Sequence, residues 1–367
     1  MIGCCYKINQ SFRSTTYFDT VSHQKWASSF LLGNSFHQTG NTNLWRMLEV
    51  ESMQLLRLLE VHHVSTYIGL DAIEIQLRKK AFWLMFYGYV HQMHNIRNER
   101  LTFLDPVLSC EINFDHLMPA PVDDEYITRT GILQCPESEA AQSLTSGFNI
   151  HSEIFLAALR PKGSDIKRHC ICSHVKDPAL RLASLREKLH HLKDILGSIL
   201  PIYRSWNKSD ITAVPFDPDD IANIQRDTIR ANIHATRLWL QVMLLDQIDV
   251  VGSQSGESTG LRDLASCDER EYVSRQLLDL LNSLCQPSLE LNGLGLVYKV
   301  RDVAVSLLSS LHDYSEERTC RVTADLHEFS RLLSVLDVSE QCNLLNLQSW
   351  IDTSRDKEIT DFNLVET

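Results

Sequence analysis

The stretch "LRKKAFWLMFYGYVHQMHN", from Leu77 to Asn95, decides the fold. Its apolar block, Ala81 to Val90, is too short to cross a membrane, because a membrane-spanning helix needs roughly 20 such residues. Large apolar side chains recur here at helical spacing, at Phe82, Met85, Phe86, Tyr89 and Met93. Since Trp83 lies on a second apolar side, we predict a helix that is buried nearly all round in a protein core.

The residues before this block predict where the helix begins and what its basic end does. Asp71 can accept from the first free backbone amides, and Glu74 stands three residues later, as in a capping box. Arg78, Lys79 and Lys80 are interpreted as a solvated turn whose alkyl stems cover apolar surface. A nucleic-acid platform is the weaker alternative, because burial of the helix removes the rings that would stack on bases.

Composition indicates an all-α fold with many helices. The chain has 367 residues, of which 44% are hydrophobic, and it contains only 14 Gly and 10 Pro. Leucine-rich segments with helical spacing dominate, and clean strand alternation is rare. The predicted helices lie at about 22–38, 43–61, 71–95, 148–159, 177–200, 217–248, 268–285, 294–311 and 319–349.

Local signals define several of these helix ends. Gly40 suits a left-handed C-terminal cap, and Asn41 or Thr42 can cap the helix that follows. Asp177 and Asp217 each precede a proline, which places a capping residue before a Pro at the first helical position.

The predicted domain organisation is a flexible N-terminal segment over 1–21, one all-helical domain over 22–350 and a polar tail over 351–367. Inside the domain, residues 98–146 mix isolated apolar residues with prolines. We predict that they form a long irregular segment packed over the helices. A subdivision of this domain, if present, is expected at the polar connection over 160–176.

Charge and cysteine usage restrict the function. The formal net charge of −12 opposes non-specific binding to nucleic acid, whose affinity comes from neutralised phosphates. The ten cysteines are scattered and the N-terminus lacks an apolar leader, which favours reduced thiols in the nucleus or cytosol. No stretch reaches membrane-spanning length, so no association with a membrane is expected.

Several groups of residues have side chains suited to metal binding or catalysis, and none fits an established pattern. "HCICSH" is entirely local, whereas zinc sites usually combine two distant pairs; its ligand-type residues are His169, Cys170, Cys172 and His174. His91 and His94 lack the carboxylate of H-E-x-x-H. The acidic candidates, none in a D-D-x-x-D pattern, are Asp123, Asp124, Glu125, Asp217, Asp219 and Asp220. We therefore assign no catalytic, cofactor-binding or metal-ligating residue, and expect no cofactor and no enzymatic activity.

Two stretches resemble the regulatory domain of fungal binuclear zinc-cluster transcription factors. The first, "SSFLLGNSFHQTGNTNLWRMLEVESMQLLRLLEVH", is similar to a helical hairpin of that family. There an aromatic-bearing helix ends at a T-G turn, and the next helix begins just before a Trp and runs to a Leu-x-x-His ending. The matching residues here are Thr39, Gly40, Trp45, Leu59 and His62.

The second stretch, "EIQLRKKAFWLMFYGYVHQMHNIRNERLTFLDPVLSCEINFDHLMPAPVDDEYI", resembles the next block of the family. That block has basic residues, an aromatic W-x-x-(F/Y) helix, an irregular run, and then L-P and an acidic D-D/E. The matching residues here are Arg78, Lys79, Trp83, Phe86, Pro119, Asp123, Asp124 and Glu125. This sequence departs from the pattern where Met118 separates Leu117 from Pro119.

The resemblance implies an all-helical regulatory domain of a transcriptional regulator in the nucleus. It implies partners among proteins of the transcription machinery or a full-length regulator, with a small-molecule effector as a further candidate. Family members read DNA through six clustered cysteines, and this sequence contains no such cluster, so direct DNA binding is not expected. The chain is then a fragment of a longer protein or a stand-alone regulatory domain. The alternatives are an all-helical scaffold or adaptor without a transcriptional role and an all-α enzyme similar to terpene synthases.

Overall fold

The structure is a computed structural model, and its described part is almost entirely helical. It describes residues 1–13, 16–94, 112–159, 177–204, 221–254, 264–311 and 316–336. Of these residues 82% are helical, and their strands form one two-stranded sheet, so the predicted all-α class is confirmed. The chain divides into two compact units, the first built from Met1–Asn149 and the second beginning at Ile150.

The α-helices of the described residues are α1 (Ile2–Ser11), α2 (His23–Gln38), α3 (Thr42–Leu58), α4 (Ala72–His94), α5 (Phe114–Leu117), α6 (Glu137–Ala140), α7 (Leu144–Leu159), α8 (Pro178–Asp194), α9 (Pro201–Arg204), α10 (Ile221–Gln254), α11 (Leu264–Ser283), α12 (Gln286–Glu290), α13 (Gly293–Ser309) and α14 (Glu316–Leu336). Strands β1 (Ile127–Thr128) and β2 (Gly131–Ile132) pair antiparallel. The longer helices match the nine predicted ones, whereas α1, α5, α6, α9 and α12 were not predicted. Other expectations fall on residues outside the described ranges, namely 160–176, 217–220, 337–349 and the tail 351–367.

In the first unit, α2 and α3 form the predicted helical hairpin. Gly40 adopts a positive φ of 75° after α2, and the side chain of Asn41 accepts a 3.3 Å hydrogen bond from the amide of Leu44. Asn41 is therefore the cap, rather than Thr42. Residues 1–21, expected to be flexible, contain α1, whose Tyr6 ring meets that of Phe36 edge-on at 5.3 Å. Burial of this apolar contact gives the N-terminal segment a reason to form a helix.

Helix α4 begins as the sequence predicts, but with half of the capping box. The amide of Glu74 donates to Oδ1 of Asp71 at 2.9 Å, while the Glu74 carboxylate pairs with Arg78 at 2.8 Å along the helix. The predicted burial of the apolar block is confirmed. Its fully buried side chains, at 0% exposure, are Ala81, Phe82, Trp83, Phe86 and Val90.

The described part of the predicted irregular segment, from residue 112 onwards, contains only short elements. These are α5, a 3-10 turn at Asp124–Tyr126, the β1–β2 hairpin and α6. Helix α7 then begins at Leu144 rather than at Phe148, because two side chains accept from its first amides: Ser143 Oγ from Ser146 at 3.0 Å and Asp123 Oδ1 from Leu144 at 2.8 Å. A carboxylate at this end also suits the helix dipole.

The second unit is built around α10, a helix of 34 residues that contacts α8, α11, α12 and α13. The Asp177-Pro178 start signal is confirmed, since Oδ1 of Asp177 accepts from the amide of Ala179 at 2.9 Å and Pro178 is the first residue of α8. Leucines on the buried face of α8 then cover α10, at Leu182, Leu185, Leu189 and Leu192. Because α10 is surrounded by other helices, polar residues on it are forced into the core.

Candidate functional site

Three polar side chains of α4 hold the backbone of the irregular segment. They lie at Gln76, Lys79 and Trp83, three and four residues apart, so they share one face of the helix. Trp83 Nε1 donates to the carbonyl of Leu117 at 3.0 Å and Lys79 Nζ to that of Met118 at 3.0 Å, while Gln76 Oε1 accepts from the amide of Ala120 at 2.8 Å. We call these three side chains and the backbone of residues 117–120 the α4–loop contact.

This contact supplies hydrogen bonds to the last residue of α5, Leu117, and to residues 118–120, which lie outside any helix or strand. Buried backbone groups need hydrogen-bond partners, and here side chains of α4 provide them. Burial also lowers the pKa of Lys79. The segment is anchored further by the ring of Phe114, whose centroid lies 6.0, 5.8 and 5.4 Å from those of Phe82, Trp83 and Phe86. The aromatic block of α4 is thus the surface on which the irregular segment packs.

The acidic run at 123–125 has structural partners and does not converge on one point. Asp123 accepts from the first amide of α7, Asp124 pairs with Lys80 at 2.9 Å, and Glu125 is exposed. Within the described ranges, no group of three or more His, Cys, Asp or Glu side chains is arranged to hold a metal ion.

The histidines of the described residues do not converge on one point. The rings of His62 and His63 lie next to each other at 4.0 Å, and burial lowers the pKa of His62. His190 pairs with Asp194 at 3.1 Å on the surface of α8. His91 is half-buried on α4. The "HCICSH" stretch and the acidic residues at 217–220 lie outside the described residues.

A row of buried polar side chains on α10 was missed by the sequence analysis, which considered only the apolar residues of that helix. We call it the α10 polar row, and it consists of Asp227, Arg230, His234, Arg237 and Gln241. Their spacing of three and four residues places them on one helical face. None of the five is more than 6% exposed. The signal available in the sequence was this spacing of charged residues within an otherwise apolar helix.

Burial affects the charge of His234 and Arg237 in the row differently: the histidine is neutral at pH 7, and the arginine is charged. His234 Nε2 lies 2.9 Å from the carbonyl oxygen of Tyr203, so this nitrogen must carry the donated hydrogen. Burial, together with the neighbouring charges of Arg237 and Arg230, lowers the pKa of His234 to about 3. Burial also lowers the pKa of Arg237 to about 10, so its guanidinium is still charged at neutral pH.

The arginines of the row are poorly matched by acceptors. Arg230 Nη2 meets Asp227 Oδ1 at 3.2 Å, and Arg237 Nη2 donates to the neutral amide oxygen of Gln276 at 2.9 Å. Among the described residues, Nε of Arg230, Nε of Arg237 and Nε2 of Gln241 find no acceptor. A buried donor left in this state costs roughly 1–3 kcal/mol.

Arg270, in the same unit, has the partners that Arg237 lacks. It is 1% exposed, and its Nη2 meets Asp246 at 2.8 Å and Asp249 at 2.7 Å. Burial by itself would lower the pKa of Arg270, but the two carboxylates outweigh this effect and the pKa is raised. The fold therefore pairs Arg270 directly with two carboxylates, whereas Arg237 donates to a neutral amide and feels the charge of Glu269 from a distance.

A second buried cation lies on α13. Lys299 Nζ donates to Thr236 Oγ1 at 2.7 Å, and the same oxygen lies 2.8 Å from His151 Nε2. The amine is also 6.0 Å from the centre of the Phe155 ring. Burial lowers the pKa of Lys299 to about 7, so a neutral amine and an ammonium coexist near neutral pH.

Comparison with known proteins found no matching family model, curated protein or solved structure. No helix in the described part of the chain has the length and apolar character needed to cross a membrane. The chemistry of the α4–loop contact is therefore the basis for assigning a function.

Proposed function

We propose that the chain is a transcriptional regulator of the fungal type, acting in the nucleus through protein or small-molecule contacts. The observation that carries this proposal is the α4–loop contact. Residues from the basic, aromatic and L-P parts of the resemblance meet there, although they are far apart in the sequence. Lys79 and Trp83 bind the backbone of residues 117–118, and Pro119 O accepts from Asn149 Nδ2 at 2.9 Å.

The contact also suggests how a signal is transmitted. The short helix α5, which includes Phe114 and Leu117, and the non-helical residues 118–120 are held to α4 by side-chain hydrogen bonds and by the Phe114 ring. Such a segment has few intrinsic constraints, so a ligand or protein that binds one arrangement better shifts the population towards it. In this mechanism α4 is the fixed surface and the segment is the part that responds.

The proposal is tested by fusing the whole chain to a heterologous DNA-binding domain in a fungal host that carries a reporter gene. We expect a change in reporter expression that depends on the fused chain, and nuclear accumulation of the chain expressed alone. Trp83→Phe removes one hydrogen bond of the α4–loop contact and should alter the reporter response. Lys80→Gln, which affects only an exposed ion pair, is the matched control.

The outcomes separate regulation from the adaptor alternative. An unchanged reporter together with exclusion from the nucleus would contradict the proposal and favour a scaffold. A reporter response that Trp83→Phe and Lys80→Gln alter equally would support regulation but would remove the assigned role of the α4–loop contact.

A further inference from the structure

Helix α1 covers an apolar surface of the α2–α3 hairpin. This surface, which we call the hairpin patch, is formed by buried and partly buried side chains of both helices, namely Leu32, Phe36, Leu44, Trp45 and Leu48. Ile2 and Tyr6 of α1 pack against it, and the Tyr6 ring meets that of Phe36 edge-on at 5.3 Å. Because Ile2 and Tyr6 are four residues apart, they lie on one face of α1. One aliphatic and one aromatic side chain thus place α1 on the hairpin patch.

A charged contact extends this docking along α3. Arg13, which follows α1, pairs through Nη2 with Glu51 Oε2 at 2.6 Å, and Tyr17 donates its hydroxyl to Glu51 Oε1 at 2.8 Å. Glu51 follows Leu44 and Leu48 at a spacing of four and three residues, so it continues the same face of α3. The surface covered by the N-terminal segment is therefore apolar in one part and negatively charged in the next.

Helix α1 is held by little buried surface. None of its residues, all of which the structure describes, is buried, and Ile8 on its outward face is 56% exposed. An isolated helix of 10 residues is marginal in water, so α1 is helical because it is docked. Segments with few buried apolar contacts open at a low cost in free energy. Opening of α1 therefore unfolds this helix and uncovers the hairpin patch together.

The hairpin has contacts of its own that do not involve α1. Gly33 lets α2 approach α3 closely, since a Cβ at this position would lie 3.3 Å from that of Leu48. Outside the hairpin patch, α2 and α3 bury Trp26, Met53 and Leu56. The patch is therefore a preformed surface that remains when α1 leaves, as is usual for protein-binding sites.

We propose that the hairpin patch, together with Glu51, is a docking site for a helix of a partner protein, and that α1 is an autoinhibitory strap that occupies this site until the partner displaces it. A helix that binds an apolar groove is recognised through anchor residues spaced by one or two turns. From α1, these anchors are an aliphatic residue, an aromatic residue four positions later and a basic residue two turns beyond.

The basic anchor is required because of the burial of Glu51. Its side chain is 18% exposed and is paired with Arg13, so a partner without a cation would leave a largely buried carboxylate without its counter-ion. This requirement distinguishes the partner helix from other apolar helices. The docking does not depend on the transcriptional role proposed above; if that role holds, the partner is one of the proteins through which the regulator acts.

The test measures binding of a peptide copy of α1 to the purified full chain by fluorescence anisotropy. The probe is a fluorescein-labelled peptide of residues 1–13 carrying Cys4→Ser and Cys5→Ser. In the wild type α1 competes with the probe, so the apparent dissociation constant is the intrinsic value divided by the open fraction of the site. Tyr6→Ala in the chain should raise this fraction and strengthen probe binding about tenfold, since the Phe36 contact of the strap is lost.

Matched variants assign the effect to the docked face. Ile8→Ala in the chain truncates the exposed face of α1 and should leave the affinity for the probe at the wild-type value. Both substitutions lie on α1, outside the contacts that join α2 to α3. Changes in the probe are then measured against the Tyr6→Ala chain. A probe with Tyr6→Ala should bind at least about tenfold more weakly, and a probe with Arg13→Gln should bind more weakly and lose its salt dependence.

Four results would overturn the inference. Three concern the probe: no saturable binding to the Tyr6→Ala chain, equal affinity for the wild-type, Tyr6→Ala and Ile8→Ala chains, and equal binding of the probes with and without Tyr6→Ala. The fourth is a wild-type dimer in analytical ultracentrifugation that Tyr6→Ala converts to a monomer, because α1 of a second copy would then occupy the site. The reporter test of the transcriptional role is independent of these outcomes, so the two proposals are distinguishable.

Discussion

The indole nitrogen of Trp83 donates a 3.0 Å hydrogen bond to the carbonyl of Leu117, across 34 residues of sequence. Trp83 is fully buried, so this bond is made out of reach of solvent. It joins the aromatic face of α4 to the irregular segment, and its loss affects both packing and a backbone carbonyl at the C-terminal end of the short helix α5.

Two substitutions of Trp83 should separate the contribution of its packing from that of its hydrogen bond to Leu117. Trp83→Ala should lower the free energy of unfolding by roughly 3–5 kcal/mol, because it leaves a large cavity. Trp83→Phe keeps most of the volume but leaves the Leu117 carbonyl without its donor, which should cost about 1–3 kcal/mol. Urea unfolding followed by circular dichroism measures both. A change in Trp83→Ala below about 0.5 kcal/mol, the range of surface substitutions, would contradict the burial.

The neighbouring residues Asp123 and Asp124 should differ in importance. Asp123→Ala removes the acceptor for the first amide of α7 and should destabilise by about 1–2 kcal/mol. Asp124→Ala breaks an ion pair whose carboxylate is 87% exposed and should change stability by less than about 1 kcal/mol. Urea unfolding of the two variants side by side is the measurement. Equal effects would show that the capping role assigned to Asp123 is wrong.

Arg270→Met should be destabilising, by roughly 2–3 kcal/mol, because it removes the buried cation from two carboxylates, one 16% and the other 38% exposed, that keep serine hydroxyls as donors. Asp249 is the more buried of the two, and Arg270 also donates to Ser306 Oγ at 3.0 Å. Arg331→Met is the control, since its side chain is 56% exposed and pairs with Glu328 at the surface, so its loss should change stability little. Chemical unfolding at pH 7 measures the free energy of unfolding of both variants. Comparable decreases in the two would argue against a special role of burial.

Lys299 should make stability depend on pH above neutrality. Burial lowers its pKa to about 7 from 10.5, so between these values the unfolded chain binds a proton that the folded chain does not. The free energy of unfolding therefore rises with pH in this window, by up to roughly 1.4 kcal/mol per pH unit from this one group. The stabilisation is complete above the unfolded pKa and is lost as the pH falls towards 7.

Lys299→Met should remove this slope and make the protein more stable near pH 7. Urea unfolding at several pH values between about 7.5 and 9.5 tests it, with both proteins measured in the same buffers. Lys193→Met, which removes a partly exposed amine on α8, should keep the slope of the wild type. An identical slope in Lys299→Met and the wild type would mean that the amine is not held in its neutral form.

Much of the helical framework was predictable because its signals are local. The cap at Asp71, the turn at Gly40 and Asn41, and the Asp177-Pro178 start are set by residues within four positions of the helix end. The burial of the aromatic block followed from its periodicity alone. The function remains a proposal that depends on a resemblance over about a third of the chain and on the contacts of α4.

The amino-acid sequence by itself determined the all-α class, the longer helices and the central place of Trp83, because hydrophobic spacing and end signals act over a few residues. Tertiary structure alone decided that residues 117–120 are held by α4 and that Asp123 caps α7. It also decided that the α10 polar row is buried, since a polar residue on a helix is normally expected to face water. Only the helices packed around α10 exclude water from that face, and no spacing in the sequence reveals which helices those are.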